Sequence, residues 1–128
     1  MKIFRFWKPI IISIVIFYGS VTSSENLNGF SLFDFQNSDK LIHFLLYFSL
    51  SITFISSLTQ NSKIQKRYKL IFTLLLIILY GVIMEFIQYN FTETRSAEVF
   101  DVIANTLGCI TGVSVFQLIK KFTYSKYL

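Results

Sequence analysis

Apolar residues dominate four stretches of the chain, and short polar segments separate them. These stretches predict helices at about residues 7–23, 41–59, 70–91 and 99–119. None of them alternates apolar and polar residues with a period of two, as a half-buried strand would. Because about 20 helical residues cross the ~30 Å hydrocarbon core of a bilayer, the last three are long enough to span it. The pattern predicts an all-α, polytopic membrane protein, a compact bundle of four transmembrane helices.

The first stretch is shorter and has a second interpretation. It follows Lys2, Arg5 and Lys8 and ends in small residues, "SVTSS", which are also features of a cleaved signal peptide. More membrane helices follow, and insertion does not require cleavage, so we interpret it as a membrane helix. The sequence alone leaves open whether this helix is retained. Residues 1–128 are predicted to form a single membrane domain.

Composition agrees with a membrane protein. Of the 128 residues, 53% are hydrophobic and only 15% are charged, and the mean hydropathy is +0.57. A soluble domain is usually less apolar and more charged. Cys109 is the only cysteine, so an intramolecular disulfide is excluded.

The distribution of charge predicts the orientation of the bundle. Ten of the twelve basic residues lie before the first helix, between the second and third, or after the fourth. The positive-inside rule assigns these segments, and with them both termini, to the cytoplasm. All seven acidic residues lie on the other side or in its half of the bilayer. We therefore read the net charge of +5 as a topology signal, and no nucleic-acid partner is predicted.

Polar residues in the last three predicted helices fall on stripes at helical spacing. The stripes are Asp39, His43 and Tyr47; Gly81, Glu85 and Gln88; and Asp101, Asn105, Gly108 and Gly112. A short turn joins the third and fourth helices and places Arg95 and Glu98 over the same area. A charged residue at the centre of a membrane helix costs about 2.5–3.5 kcal/mol, so such residues are functional candidates. The stripes predict a polar pocket in the outer leaflet, open to the exterior.

The candidate pocket residues are Glu85, Asp101, Arg95, His43, Asp39, Lys40, Gln88 and Asn105. Helix packing is the alternative explanation, since polar side chains also hold membrane helices together. We favour packing for Gln88 and Asn105, and a functional role for Glu85, Asp101, Arg95 and His43. Gly81, Gly108 and Gly112 are predicted packing positions, because small residues let membrane helices approach closely.

Other chemistry has weaker support in the sequence. His43 with Asp39, Glu85 and Asp101 could bind a divalent ion, since hard cations prefer carboxylates. With one histidine and no metal-binding spacing, we predict no metal and no cofactor. The chain also contains no G-x-S-x-G elbow, P-loop or H-E-x-x-H motif. Catalytic residues, if there are any, are therefore not identified by a motif.

Three segments resemble the VanZ-like family of small bacterial membrane proteins. They are "DKLIHFLLY", "YGVIMEFIQ" and "TRSAEVFDVIANTLG", and the resemblance extends from Asp39 to Gly112. The family pattern carries over onto Asp39, Lys40, His43, Gly81, Glu85, Gln88, Arg95, Asp101, Asn105 and Gly108. The resemblance implies a multi-pass protein of the bacterial cytoplasmic membrane with a role at the cell envelope. Some family members are linked to resistance against teicoplanin-type glycopeptide antibiotics.

Four functions are compatible with this sequence. The first is a protein whose outer pocket binds a lipid-linked or amphiphilic envelope molecule, and the second is an enzyme that modifies such a molecule. The third is a proton-coupled carrier, although no charged residue lies deep in the cytoplasmic half to complete a relay. The fourth is a structural partner in a larger complex. The sequence names neither the ligand nor the oligomeric state.

Overall fold

Long helices make up most of the structure. The computed structural model describes residues 3–22, 38–60, 63–92 and 98–126. A short 3₁₀ turn, Ile3–Phe6, precedes α1 (Trp7–Val21), and α2 (Ser38–Thr59), α3 (Lys66–Phe91) and α4 (Val99–Lys126) follow. These four helices are long and apolar enough to cross a membrane, α1 together with its preceding turn, and the described residues contain no strand. The predicted all-helical, four-span architecture is confirmed.

Two helices extend beyond their predicted ends on the lysine-rich side. The α3 helix begins at Lys66 rather than at residue 70, and α4 continues to Lys126 rather than ending at residue 119. The prediction placed each end where the apolar residues stop, but a lysine-bearing helix can continue into the aqueous interface because lysine is a good helix former. With 26 and 28 residues, both helices are about 40 Å long and exceed the ~30 Å hydrocarbon core. At the other end, α2 begins at Ser38 rather than at residue 41.

The most extensive contact in the bundle joins α2 and α4. Gly108 and Gly112 lie one helical turn apart on α4 and face the backbone of α2. A Cβ atom added to Gly108 would overlap the carbonyl oxygen of Phe44. One added to Gly112 would lie 2.6 Å from the carbonyl oxygen of Phe48. The absence of side chains at these two positions therefore sets the distance between the two helices.

The first helix lies against α2 and α3. The Tyr80 hydroxyl donates to the carbonyl of Ser13 at 2.7 Å, which joins α3 to α1. The Ser57 hydroxyl donates to the carbonyl of Arg5 at 2.8 Å, which joins α2 to the turn before α1. Interhelical hydrogen bonds of this kind contribute about 0.6 kcal/mol each in a membrane.

The interior of the bundle changes character along its length. Its apolar part contains Ile16, Tyr47, Leu50, Ile77, Met84 and Cys109. The outward faces carry large apolar side chains such as Leu75 and Phe86, which are 65% and 68% exposed. An outward apolar surface of this kind suits lipid. Toward the end where α3 ends and α4 begins, buried side chains become polar, and this end contains the candidate site.

Candidate functional site

The second helix presents one face to the polar end of the bundle. Asp39, His43 and Tyr47 follow one another at four-residue spacing and therefore share that face. Their exposure falls along the helix: the side chains of Asp39 and His43 are 40% and 15% exposed, and Tyr47 is 1% exposed. The stripe thus runs from the surface of the bundle into its interior.

The third helix contributes Glu85 and Gln88, which are buried although both are polar. One turn before Glu85, Gly81 leaves space for side chains from the two neighbouring helices. A Cβ atom at Gly81 would lie 3.2 Å from Tyr47 Cε1 and 3.4 Å from Asn105 Cβ. Because these neighbours come from α2 and α4, Gly81 lies where the three polar helices meet.

The fourth helix contributes Asp101 and Asn105, which are 3% and 2% exposed. They lie on the same face as Gly108 and Gly112, at spacings of four, three and four residues. The close approach of α2 and α4 at the two glycines therefore also brings Asp101 and Asn105 toward His43.

These side chains form an inner cluster, which we define as His43, Glu85, Gln88, Asp101 and Asn105. Within it, His43 Nδ1 lies 3.0 Å from Asn105 Oδ1 and 3.8 Å from Glu85 Oε1. An amide oxygen only accepts hydrogen bonds, so this contact is a hydrogen bond in the tautomer that carries a proton on Nδ1. Ligand atoms of His43, Glu85 and Asp101 all lie within 4.8 Å of one another.

An outer ion-pair group, Asp39, Lys40 and Glu98, lies above the inner cluster. Lys40 Nζ is 2.8 Å from Glu98 Oε2, 3.3 Å from Asp39 Oδ2 and 3.7 Å from Asp101 Oδ1. The side chains of this group are between 27% and 45% exposed, whereas that of Asp101 is 5% exposed. Lys40 therefore connects the exposed carboxylates of Asp39 and Glu98 with the buried carboxylate of Asp101.

Four buried polar atoms have no hydrogen-bond partner among the residues that the structure describes. They are Tyr47 Oη, Gln88 Oε1, Asp101 Oδ1 and Asn105 Nδ2. A buried polar atom without a partner costs about 1–3 kcal/mol, so native proteins pair most of them with protein, water or a ligand. Gln88 Oε1 only accepts hydrogen bonds, and Asp101 Oδ1 does the same when Asp101 is ionised, which indicates a partner that donates. Lys40 Nζ pairs with Asp101 Oδ1 through charge, but at 3.7 Å it lies beyond hydrogen-bond distance.

The sequence of this chain matches a family of known membrane proteins. The family model described as VanZ/LLP1 matches residues 3–120. The chain belongs to the VanZ/LLP1 family. The proposed resemblance is therefore confirmed, and with four candidate spans the VanZ/LLP1 chain is a multi-pass membrane protein. Comparisons with curated proteins and with solved structures gave no match.

Seven of the eight predicted pocket residues of this VanZ/LLP1 chain lie in the inner cluster or the outer ion-pair group. Arg95 lies outside the described residues. The sequence placed Glu98 over the same area as Arg95 without naming it a pocket residue, and the structure pairs it with Lys40. Tyr47 was missed as a candidate. Tyr47 lay on a recognised stripe, but an aromatic residue in an apolar run gives no separate functional signal.

Carboxylates outnumber cations in the described part of the site. Asp39, Glu85, Glu98 and Asp101 are accompanied by one lysine, Lys40, and by one histidine. Oxygen atoms of Asp39, Glu98 and Asp101 lie within 4.8 Å of one another, as they would around a metal ion. The Lys40 ammonium contacts all three, so it supplies the positive charge there. In this VanZ/LLP1 chain, Lys40 compensates carboxylates and its charge is not available to an anionic ligand.

Two cavities of the described part of the chain lie away from this site. The larger, of about 1110 Å³, is lined by residues of α2, α3 and α4 at the lysine-rich end. The smaller, of about 470 Å³, lies beside the turn before α1. No residue of the inner cluster lines either of them. The outer ion-pair group is the more exposed side of the inner cluster, so a molecule would reach the cluster past it.

Replacing Asn105 with leucine is expected to destabilise the VanZ/LLP1 bundle by about 1 kcal/mol. Leucine has a similar shape but lacks the oxygen that contacts His43 Nδ1, and this loss destabilises the bundle. Removal of the unpaired amide nitrogen offsets part of the loss. Reversible unfolding in mixed detergent micelles measures the difference. Asn90→Leu is the control, because exposed Asn90 donates only to the carbonyl of Phe86, within its own helix. A larger loss for Asn90→Leu would contradict the assignment.

Proposed function

We propose that this membrane protein binds the polar head of a lipid-linked or amphiphilic envelope molecule at its inner cluster. The positive-inside rule places the cluster in the outer leaflet of the bacterial cytoplasmic membrane, with both termini in the cytoplasm. One observation carries the proposal: buried polar atoms on α2, α3 and α4 lack hydrogen-bond partners among the described residues, in helices that bring His43, Glu85 and Asp101 within 4.8 Å of one another. If these atoms served only helix packing, they would lower the stability of the fold because they lack hydrogen bonds. A bound ligand would supply those hydrogen bonds.

The charge of the site indicates what kind of head group fits. Lys40 is paired with carboxylates, and the acceptors without a hydrogen-bond partner among the described residues are Asp101 Oδ1 and Gln88 Oε1. The matching group is a donor, such as a sugar hydroxyl or an ammonium. Lys40 is not assigned to a phosphate or carboxylate of the ligand, because its ammonium lies within 3.7 Å of three carboxylates.

The exposure of the site supports entry from the end of the bundle. Side-chain exposure rises from 5% at Glu85 and Asp101 to 15% at His43 and 27% at Lys40. A polar head could enter along this gradient while its apolar chain remained against the lipid-facing surface of the helices. Molecules of the envelope with this shape are lipid-linked sugars and related amphiphiles.

The test uses variants that keep the shape of the side chains. Glu85→Gln and Asp101→Asn are expected to weaken binding about 10- to 100-fold, because hydrogen bonds to charged groups contribute about 1.5–3 kcal/mol. The purified protein is incubated with total envelope lipid extract, and the retained species are identified by mass. In cells, survival in teicoplanin and the envelope-stress response are scored for the same variants, because some family members are linked to this resistance.

The control is Glu98→Gln, which removes the same charge from an exposed residue of the outer ion-pair group. It is expected to change binding by less than about fivefold, as surface ion pairs contribute less than about 1 kcal/mol. Normal folding with unchanged retention in both inner variants would contradict the proposal. Misfolding of both inner variants would instead support a structural role for the cluster.

An enzymatic role is the second candidate, and the contact between His43 and Glu85 favours it. An imidazole 3.8 Å from a buried carboxylate can pass a proton to or from a bound molecule. Binding and catalysis differ in the product: an enzyme changes the mass of an envelope lipid, and a binding protein returns it unaltered. A proton-coupled carrier has less support, because the carboxylates of the described residues all lie at the polar end.

A further inference from the structure

A basic groove lies at the opposite end of the bundle from the inner cluster. We define the basic groove as the cavity of about 1110 Å³ between α2, α3 and α4. Its polar lining includes four lysines, Lys66, Lys69, Lys120 and Lys121. No carboxylate of the described residues lines it. The field inside the groove is therefore positive, and an anion is its complementary occupant.

The groove combines this charge with an apolar wall. Leu70, Phe116 and Leu118 line it together with the lysines. Its volume of about 1110 Å³ is slightly above the ~300–1,000 Å³ that small-molecule sites usually occupy. A ligand that fills it therefore needs an anionic part and an apolar part.

The lysines lie at the level where phospholipid head groups are found. Lys66 and Lys69 belong to the first turn of α3, and Lys120 and Lys121 to the last two turns of α4. Both helices are longer than the hydrocarbon core, so these turns reach the interface. Lys69 is 8% exposed and thus brings a charge inside the bundle, whereas Lys66 and Lys120 are exposed at the rim.

We infer that the basic groove binds an anionic phospholipid of the surrounding leaflet, with its phosphate at the lysines and an acyl chain along the apolar wall. Basic pockets between membrane helices recognise anionic head groups in this way. The inference is independent of the function proposed for the inner cluster, because the two sites share no residue and lie at opposite ends of the bundle.

Lipid exchange tests this inference with the full chain in nanodiscs. The probes are phosphatidylglycerol and phosphatidylcholine with identical chains, and bound lipid is counted by native mass spectrometry. The double variant Lys66→Gln/Lys120→Gln is expected to weaken phosphatidylglycerol binding about 25-fold, since each direct ion pair between an exposed lysine and the phosphate changes the affinity about fivefold. Both side chains are exposed, so their loss leaves the packing of the helices unchanged.

Lys63→Gln/Arg67→Gln is the matched control, because it removes the same charge from the same end of the bundle. Neither residue lines the groove, and both are exposed. The control pair is expected to weaken binding by less than fivefold. Equal losses in the two double variants would overturn the inference, since binding would then report the general surface charge. Equal retention of phosphatidylcholine and phosphatidylglycerol by the unaltered protein would overturn it as well.

A third variant tests whether an acyl chain occupies the basic groove, and it leaves the charge of the groove unchanged. Ser114 is exposed and lines the groove, so Ser114→Phe would fill part of it. Phosphatidylglycerol binding is expected to fall about tenfold, and unchanged binding would contradict a chain inside the groove. Millimolar inorganic phosphate or glycerol phosphate is expected not to displace the lipid. Displacement would identify a soluble anion as the occupant and overturn the assignment to a phospholipid.

Discussion

Gly108→Ala is expected to destabilise the bundle by about 3 kcal/mol, although alanine is the better helix former. The added methyl group would overlap the Phe44 carbonyl oxygen and lie 3.1 Å from the backbone nitrogen of Phe48. Backbone atoms of a helix cannot rotate away as a flexible side chain can. The two helices would have to separate along the most extensive contact of the bundle.

Gly112→Ala is expected to have a similar effect for a related reason. Its added methyl group would meet the Ser51 hydroxyl, which can rotate, and the Phe48 carbonyl oxygen at 2.6 Å, which cannot. The further change Ser51→Ala removes the hydroxyl and leaves the carbonyl. The double variant Gly112→Ala/Ser51→Ala is therefore expected to remain destabilised. Its recovery would show that the side chain, and not the backbone, limits the approach of the helices.

Gly19→Ala is the matched control for both substitutions. A Cβ atom at Gly19 would have nothing within 4 Å, so the change adds helix propensity without a clash. It is expected to stabilise α1 by about 0.5–1 kcal/mol. Unfolding in mixed micelles, followed by circular dichroism, compares the three positions. A loss at Gly19 as large as at Gly108 would contradict the role assigned to close packing.

The glycines also connect packing to the site. Asp101 and Asn105 lie on the same helix face as Gly108 and Gly112, one to three turns closer to the polar end. If α4 moves away from α2, the 3.0 Å contact between Asn105 and His43 is lost. The Gly108→Ala variant should therefore lose any activity of the inner cluster even where some folded protein remains.

The sequence predicted this architecture because the bilayer imposes a simple requirement. A helix must be long and apolar to cross it, and the four helices, α1 together with its preceding turn, meet that condition by length and composition. The ends of α3 and α4 were harder to predict from the sequence. The last apolar residue marks where the hydrocarbon core ends, and a helix can continue beyond it. Lys66 and Lys126 continue their helices in the interface.

Helical spacing also predicted which site residues share a face, since positions four residues apart on one helix must do so. Pairing between helices is different, because it depends on the rotation of each helix about its axis. The contact of Lys40 with Glu98 could not be separated from one with Asp101 on spacing alone, and the structure has both, at 2.8 and 3.7 Å. The partnership of His43 with Asn105 likewise required coordinates.

Lys40→Met is expected to destabilise the protein by about 3 kcal/mol, because it leaves Asp101 buried without its cation. The remaining carboxylates, Asp39, Glu98 and Glu85, would add repulsion to the cost of burial. The expected loss is much larger than the ~1 kcal/mol or less of an exposed ion pair, although Lys40 is itself 27% exposed. The difference arises at Asp101, whose side chain is 5% exposed.

A double-mutant cycle assigns this loss to one of the two partners. If Asp101 is the partner that matters, Asp101→Asn removes the uncompensated charge, and the variant Lys40→Met/Asp101→Asn should recover most of the stability. Lys40→Met/Glu98→Gln should recover little, because the Glu98 side chain is 45% exposed and is stabilised by water without a lysine. Equal recovery in both double variants would contradict a special role for the buried carboxylate. Since the Lys40–Glu98 contact is the shorter of the two, the cycle decides whether burial or distance governs the energy of this site.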